Sequence, residues 1–130
     1  MEIQEESRYG VTVIGLRGRL DAQTCPAAEP RLVDLTNQSG QTLVLDFSEV
    51  SFVSSGGLAL LLKVAKNVRE TNGKLALAAL SNYVHEVFEI AGFTSMFSIF
   101  PTCEDAVAHL KGDRQREDEG SIPPGGSVGS

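Results

Sequence analysis

Positive charge is scarce in this 130-residue chain: 11 Lys and Arg stand against 17 Asp and Glu, a formal net charge of −6. A nucleic-acid binder needs a basic patch to neutralise phosphates, and an anionic membrane surface asks for the same, so neither partner class is expected. Long apolar runs are missing too. None reaches the roughly 18–20 residues that a bilayer span requires, and the opening MEIQEESRYG is acidic and polar where a secretory signal is basic and then apolar. Cysteine is rare: Cys25 and Cys103 lie far apart, with no CxxC and no Cys/His cluster, which points away from a disulfide framework or a zinc site and fits thiols in a reducing cytosol. His85 and His109 fall on separate predicted helices without metal-ligand spacing. These absences lead to the expectation of a soluble cytoplasmic domain with no cofactor and no metal.

What is present is ordinary globular material, 42% apolar and 22% charged, enough for one core. Residues 3–21 alternate polar and apolar on both sides of 8–10 and predict a hairpin, with Gly15 and Gly18 marking a bulge or close packing. Asp21 and Thr24 are candidate caps for a helix over 25–38, in which Pro26 suits the first turn and Pro30 predicts a kink or a late start. Residues 42–47 form a nearly continuous apolar run, as in a strand buried on both faces. From 55 to about 72, Leu58, Leu61, Leu62, Ala65 and Val68 recur at helical spacing, and Gly73 is positioned to stop that helix. A strand over 74–80, a helix from Ser81 or Asn82 to Ala91 ended by Gly92, a short strand over 98–100 and a helix from Thr102 to about Lys111 complete the pattern. Phe88, Phe93, Met96, Phe97 and Phe100 read as core and cap packing. The architecture predicted is α/β: a small mixed, mostly parallel sheet of four to five strands, opening with a β-hairpin and packed with about four helices. Residues 112–130 are charged and then rich in Gly, Ser and Pro, and predict a flexible tail after a domain spanning 1–111.

The segment LVLDFSEVSFVSSGGLALLL at 43–62 carries the chemistry. It takes an apolar strand into a serine-glycine turn and then into an amphipathic helix. First-turn amides lack intrahelical partners and the aligned peptide dipoles add partial positive charge, so a phosphate at Ser54 or Ser55 is well received. Gly56 and Gly57 let another backbone approach closely. Ser54 and Ser55 can equally serve as plain helix caps. Asp21 reads as a partner contact or a cap, Asp46 as a strand-end hydrogen-bonding residue, and Ser48 and Ser51, placed in the loop before the turn, as partner contacts or turn formers. Cys25, at a helix start, is either a thiol of lowered pKa or a small half-buried side chain.

GRLDAQT at 18–24, LVLDFSEVSFV at 43–53 and SSGGLALLL at 54–62 together resemble the STAS domain family, the bacterial anti-sigma factor antagonists, over residues 3–111. They are similar to that family's GxLD segment, its central strand and following loop, and its DSSGLxxLL helix start. The resemblance implies that Ser55 is phosphorylated by a partner kinase. Ser54 stands where the family usually has aspartate and Gly56 where it often has a second serine or threonine, so Ser54 is the alternative site. It further implies an unmodified form that binds a serine-kinase anti-sigma factor of the GHKL ATPase type through Asp21, Thr24, Ser48, Ser54, Ser55, Gly56 and Gly57. A modified form lets go, a metal-dependent serine phosphatase restores it, and the protein has no catalysis of its own.

Three other readings use the same turn. A STAS-like scaffold or adaptor would bind a partner constitutively. A serine hydrolase would use Ser55 as nucleophile, but its elbow asks for glycine two residues before and two after the serine, and only Gly57 fits, with Val53 at the earlier position. A nucleotide-binding module would seat a phosphate at Gly56 and Gly57, without the Gly-x4-Gly-Lys loop that such sites use.

Overall fold

The computed structural model describes residues 1–120, with side chains described through Lys111. Its elements are β1 (Glu2–Arg8), β2 (Val11–Leu20), α1 (Cys25–Thr36), β3 (Thr42–Val53), α2 (Ser55–Glu70), β4 (Lys74–Ala78), α3 (Asn82–Ile90), a 3-10 turn (Phe93–Ser95), β5 (Ser98–Phe100) and α4 (Cys103–Gly120). The strands form one sheet in the order β1-β2-β3-β4-β5. β1 and β2 are antiparallel, joined through Tyr9 and Gly10, whose φ values of 54° and 81° give the two-residue turn that matches the twist of paired strands. Every other pair is parallel.

Alternation along the strands divides the interior in two. Ile14, Leu16, Leu43, Leu45, Phe47 and Leu77 face α1, α2 and α3, which bury Leu32, Leu61, Val64, Val84 and Phe88 against them. Phe88 is the hub, edge-on to Phe47 at 5.9 Å and to Phe93 at 5.6 Å. Such ring pairs contribute about 0.5–1.5 kcal/mol each beyond area burial. Val11, Val13, Val44, Ala76 and Ala78 point the other way, onto Cys103, Ala106, Val107 and Leu110 of α4. Small Ala76 and Ala78 on that face let the last helix lie close.

Several boundaries differ from the sequence reading. β3 runs on through Ser48 and Ser51 to Val53, so both serines belong to the strand and not to a loop. The pairing with β2 accounts for this: residues 12–20 of β2 lie opposite 43–53 of β3, two residues longer, with register shifts between Gly15 and Arg17 and between Gly18 and Arg19. The bulges expected near Gly15 and Gly18 are therefore present, with the extra residues on β3. α1 ends at Thr36, two residues before Gln38, and starts at Cys25 with Pro30 inside it. Pro26 and Pro30 are both exposed, and Pro30 leaves the Pro26 carbonyl without its intrahelical N–H donor. At the end of α2 the left-handed residue is Asn72, φ 59°, one position before Gly73; the Gly73 N–H bonds back to Val68 O at 2.8 Å. Gly73 is needed instead for space, since a Cβ there would lie 2.7 Å from Gln41 O. α4 is preceded by Thr102, whose Oγ1 accepts from the Asp105 amide at 3.1 Å, and it continues past Lys111 to Gly120. Residues 121–130 of the expected tail lie outside the described residues. None of the described helices is long and apolar enough to cross a membrane.

Candidate functional site: the serine turn at the carboxyl end of β3

β3 delivers the chain to α2 through Ser54, which is extended (φ −101°, ψ 178°) and acts as the N-cap. Its Oγ accepts from the Gly57 amide at 3.4 Å, and its own N–H donates to Leu20 O at 3.0 Å. Gly57 is buried against the end of β2: a Cβ there would lie 2.3 Å from Leu20 O, a separation no side chain tolerates. Gly56 has more room, with Ala22 N 3.5 Å from an ideal Cβ. The α2 start is thus fastened to residues 20–22 by one hydrogen bond and one backbone-on-backbone contact.

Ser54 and Ser55 are thereby given different roles. Ser54 is half-buried and occupied as a cap, whereas Ser55, at the first helical position, is exposed and its hydroxyl has no hydrogen-bond partner among the described residues. Ser55 projects where first-turn amides and the helix dipole favour an anion. The α2 first turn contains no acidic residue.

The turn after β2 lies alongside. Asp21 Oδ1 accepts from the amides of Gln23 and Thr24 at 3.0 and 3.1 Å, and its Oδ2 accepts from Arg19 Nε at 3.1 Å. Only 13% of the Asp21 side chain is exposed. Its burial raises the carboxyl pKa, but the Arg19 hydrogen bond, the two amides and the Arg19 charge outweigh that and hold it below its ordinary value. Thr24 precedes α1 without a side-chain cap; its hydroxyl instead donates to Arg19 O at 2.7 Å and accepts from the Asp21 amide at 3.0 Å. Asp21 and Thr24 therefore brace each other and the end of β2.

The structure brings Asp21, Thr24, Ser54, Ser55, Gly56 and Gly57 together at the carboxyl end of β2 and β3 and leaves Ser48 apart. Ser48 is exposed on β3, its amide donating to Asp46 Oδ1 at 2.9 Å, in a cleft with Glu2, Glu6, Arg17 and Glu49. Ser51 occupies the second bulge, with its hydroxyl 3.4 Å from Gly18 O. The Cys25 thiol is raised above its ordinary pKa by burial and then by Asp21 and Glu29, and so behaves as the small half-buried side chain rather than the reactive thiol. His85 pairs with Glu89 at 3.2 Å, and His109 packs on Phe100 with ring centroids 5.0 Å apart.

Three residues beside this site escape sequence reasoning. The Arg19 guanidinium lies 4.3 Å from the centre of the Phe52 ring, and Phe52 stacks on Tyr83 of α3 at 6.0 Å with an 18° tilt. Their signal is weak but present: Phe52 falls between the buried positions Val50 and Val53, and Tyr83 precedes the buried pair Val84 and Phe88.

Comparison with known proteins agrees with this fold. The sequence profile of the STAS domain matches residues 2–106. BtrV of Bordetella bronchiseptica, provisionally an anti-sigma factor antagonist, is 32% identical over 111 residues, 85% of this chain and 96% of that protein. An anti-sigma factor antagonist from Mycobacterium paratuberculosis superposes with a TM-score of 0.77 at 26% identity, covering 85% of this chain and 93% of that one. SpoIIAA, an anti-sigma factor antagonist solved in its unphosphorylated form, gives a TM-score of 0.71 at 25% identity over 85% and 97% of the two chains.

Proposed function

The chain belongs to the STAS domain family, and from that premise we propose that it is an anti-sigma factor antagonist switched by phosphorylation of Ser55. The unmodified protein docks on a serine-kinase anti-sigma factor of the GHKL type, using the surface formed by 21–24 and 54–57, and so frees the sigma factor. The kinase transfers a phosphoryl group from ATP to Ser55 Oγ, and a metal-dependent serine phosphatase removes it by hydrolysis.

The observation that carries this reading is the division of labour between the two serines. Ser54 holds the helix start, so Ser55 is free to be modified without loss of the cap. Phosphorylation adds about −1.5 to −2 charge and three acceptor oxygens. On its own domain this dianion rests at a helix N-terminus and is tolerated. Beneath a docked partner it is stripped of water without matching donors, at a cost of several kcal/mol, which lowers affinity by orders of magnitude. The fold survives and the complex does not.

Incubation with a GHKL-type serine kinase from the same genome and ATP, followed by peptide mapping, is expected to place phosphate on Ser55. Phosphate confined to Ser54, Ser48 or any other residue overturns the assignment. Ser55→Asp is expected to fold normally and bind that kinase about a hundredfold more weakly; unchanged binding favours a scaffold that holds its partner constitutively, with the neutral Ser54 cap as a fixed contact.

A further inference from the structure

We infer that Arg19, Phe52 and Tyr83 form a preorganised aromatic anchor that extends the serine-turn docking surface onto α3 and sets the affinity of the same protein partner. The inference rests on the function proposed above and adds to it a second, unswitched part of the interface.

Three observations lead there. The cluster is continuous with the turn: Phe52 lies two residues before Ser54 on β3, and Arg19 shares Asp21 with the bracing of residues 21–24. It is also not needed by the core. α3 buries Val84 and Phe88, while the neighbouring Tyr83 remains 49% exposed. Finally, it is held in place before any partner arrives, because the Phe52 ring carries both the Arg19 guanidinium and the Tyr83 ring. Aromatic and arginine side chains that are already ordered lose little entropy on binding and dominate interface energetics. The occupant this suits is an apolar segment of the kinase that covers the Tyr83 face while its neighbouring surface covers Ser55. Charge at Ser55 then governs release, and the stack governs how tightly the unmodified complex holds.

The test measures binding of the full chain to the GHKL-type kinase by calorimetry for the parent protein, Tyr83→Ala, Tyr83→Phe and Ser55→Asp. Tyr83→Ala is expected to weaken binding by at least about tenfold, with Tyr83→Phe within about twofold of the parent because the ring is kept. Thermal melting of the variants separates this from unfolding, and Tyr83→Lys, which keeps a long side chain without the ring, provides a second version of the same loss. Tyr83→Ala and Tyr83→Lys binding like the parent, with Ser55→Asp still released, overturn the anchor and leave the switch standing. A kinase that does not bind the parent protein overturns both.

Discussion

α2 and α3 begin in nearly the same way and end up with different capacities. Each follows a parallel strand of the mixed sheet, and each is capped by an extended serine whose Oγ accepts from the amide three residues on, Gly57 at 3.4 Å for Ser54 and Val84 at 3.2 Å for Ser81. After the cap the sequences diverge: Ser55, Gly56 and Gly57 on α2 occupy the positions of Asn82, Tyr83 and Val84 on α3. Val84 is buried in the core, and Gly57 is pressed on the Leu20 carbonyl where no side chain fits. A serine cap is therefore generic; an exposed hydroxyl two residues before a glycine that fixes the turn to the adjacent strand is what sets the α2 start apart.

The largest break in that comparison is Gly57→Ala. Its Cβ would meet Leu20 O at 2.3 Å and Leu20 Cγ at 3.0 Å. Urea unfolding is expected to show a loss of about 3 kcal/mol, the upper part of the overpacking range. The caps come next: Ser54→Ala and Ser81→Ala should each cost about 1 kcal/mol, whereas Ser55→Ala should stay within about 0.5 kcal/mol of the parent. Ser55→Ala costing as much as Ser54→Ala would remove the distinction between the capping serine and the proposed switch. Gly56→Ala should have the opposite sign to Gly57→Ala, because its nearest neighbours lie at 3.5 and 3.6 Å. A gain of about 0.5 kcal/mol is expected from the reduced freedom of the unfolded chain.

The smallest effect is one of pH. Asp21 has its carboxyl pKa held below the ordinary value in the folded protein, so its contribution to stability is complete above that value and is lost as pH falls through the folded one. Protonation weakens its acceptance from the Gln23 and Thr24 amides. The Val84 amide is held by a serine that does not titrate in this range. Hydrogen exchange followed below the usual carboxylate range should show Gln23 and Thr24 opening before Val84, and simultaneous opening would show that Asp21 is not what braces the turn.

Much of this was legible in the chain, because caps and glycines act locally. The hairpin at Tyr9 and Gly10, the Ser81 cap, the left-handed Gly92 and the strand-helix alternation each depend on neighbours within four residues or on side-chain periodicity. The serine turn was legible for the same reason. The full length of β3 was not, since two bulges carry Ser48 and Ser51 out of the alternation by which a strand is recognised. Nor was the stack of Arg19, Phe52 and Tyr83, whose members come from three distant segments that only the folded sheet brings together. Asn72 took the left-handed position because asparagine tolerates it and Gly73 was required for clearance from Gln41.

The paired bulges act as buffers of length. Each bulge takes up one extra residue of β3 opposite the shorter partner strand, so the side chains beyond it keep the faces that pairing sets. Inward positions accordingly pass from Phe47 to Val50 and then to Val53, which leaves Ser54 and Ser55 aligned with the start of α2. Loss of one bulged residue, such as Ser51, would flatten that bulge and keep the aim of the hydroxyl pair. Length variation in this strand is then tolerated at the two bulges and resisted where the ladder is regular.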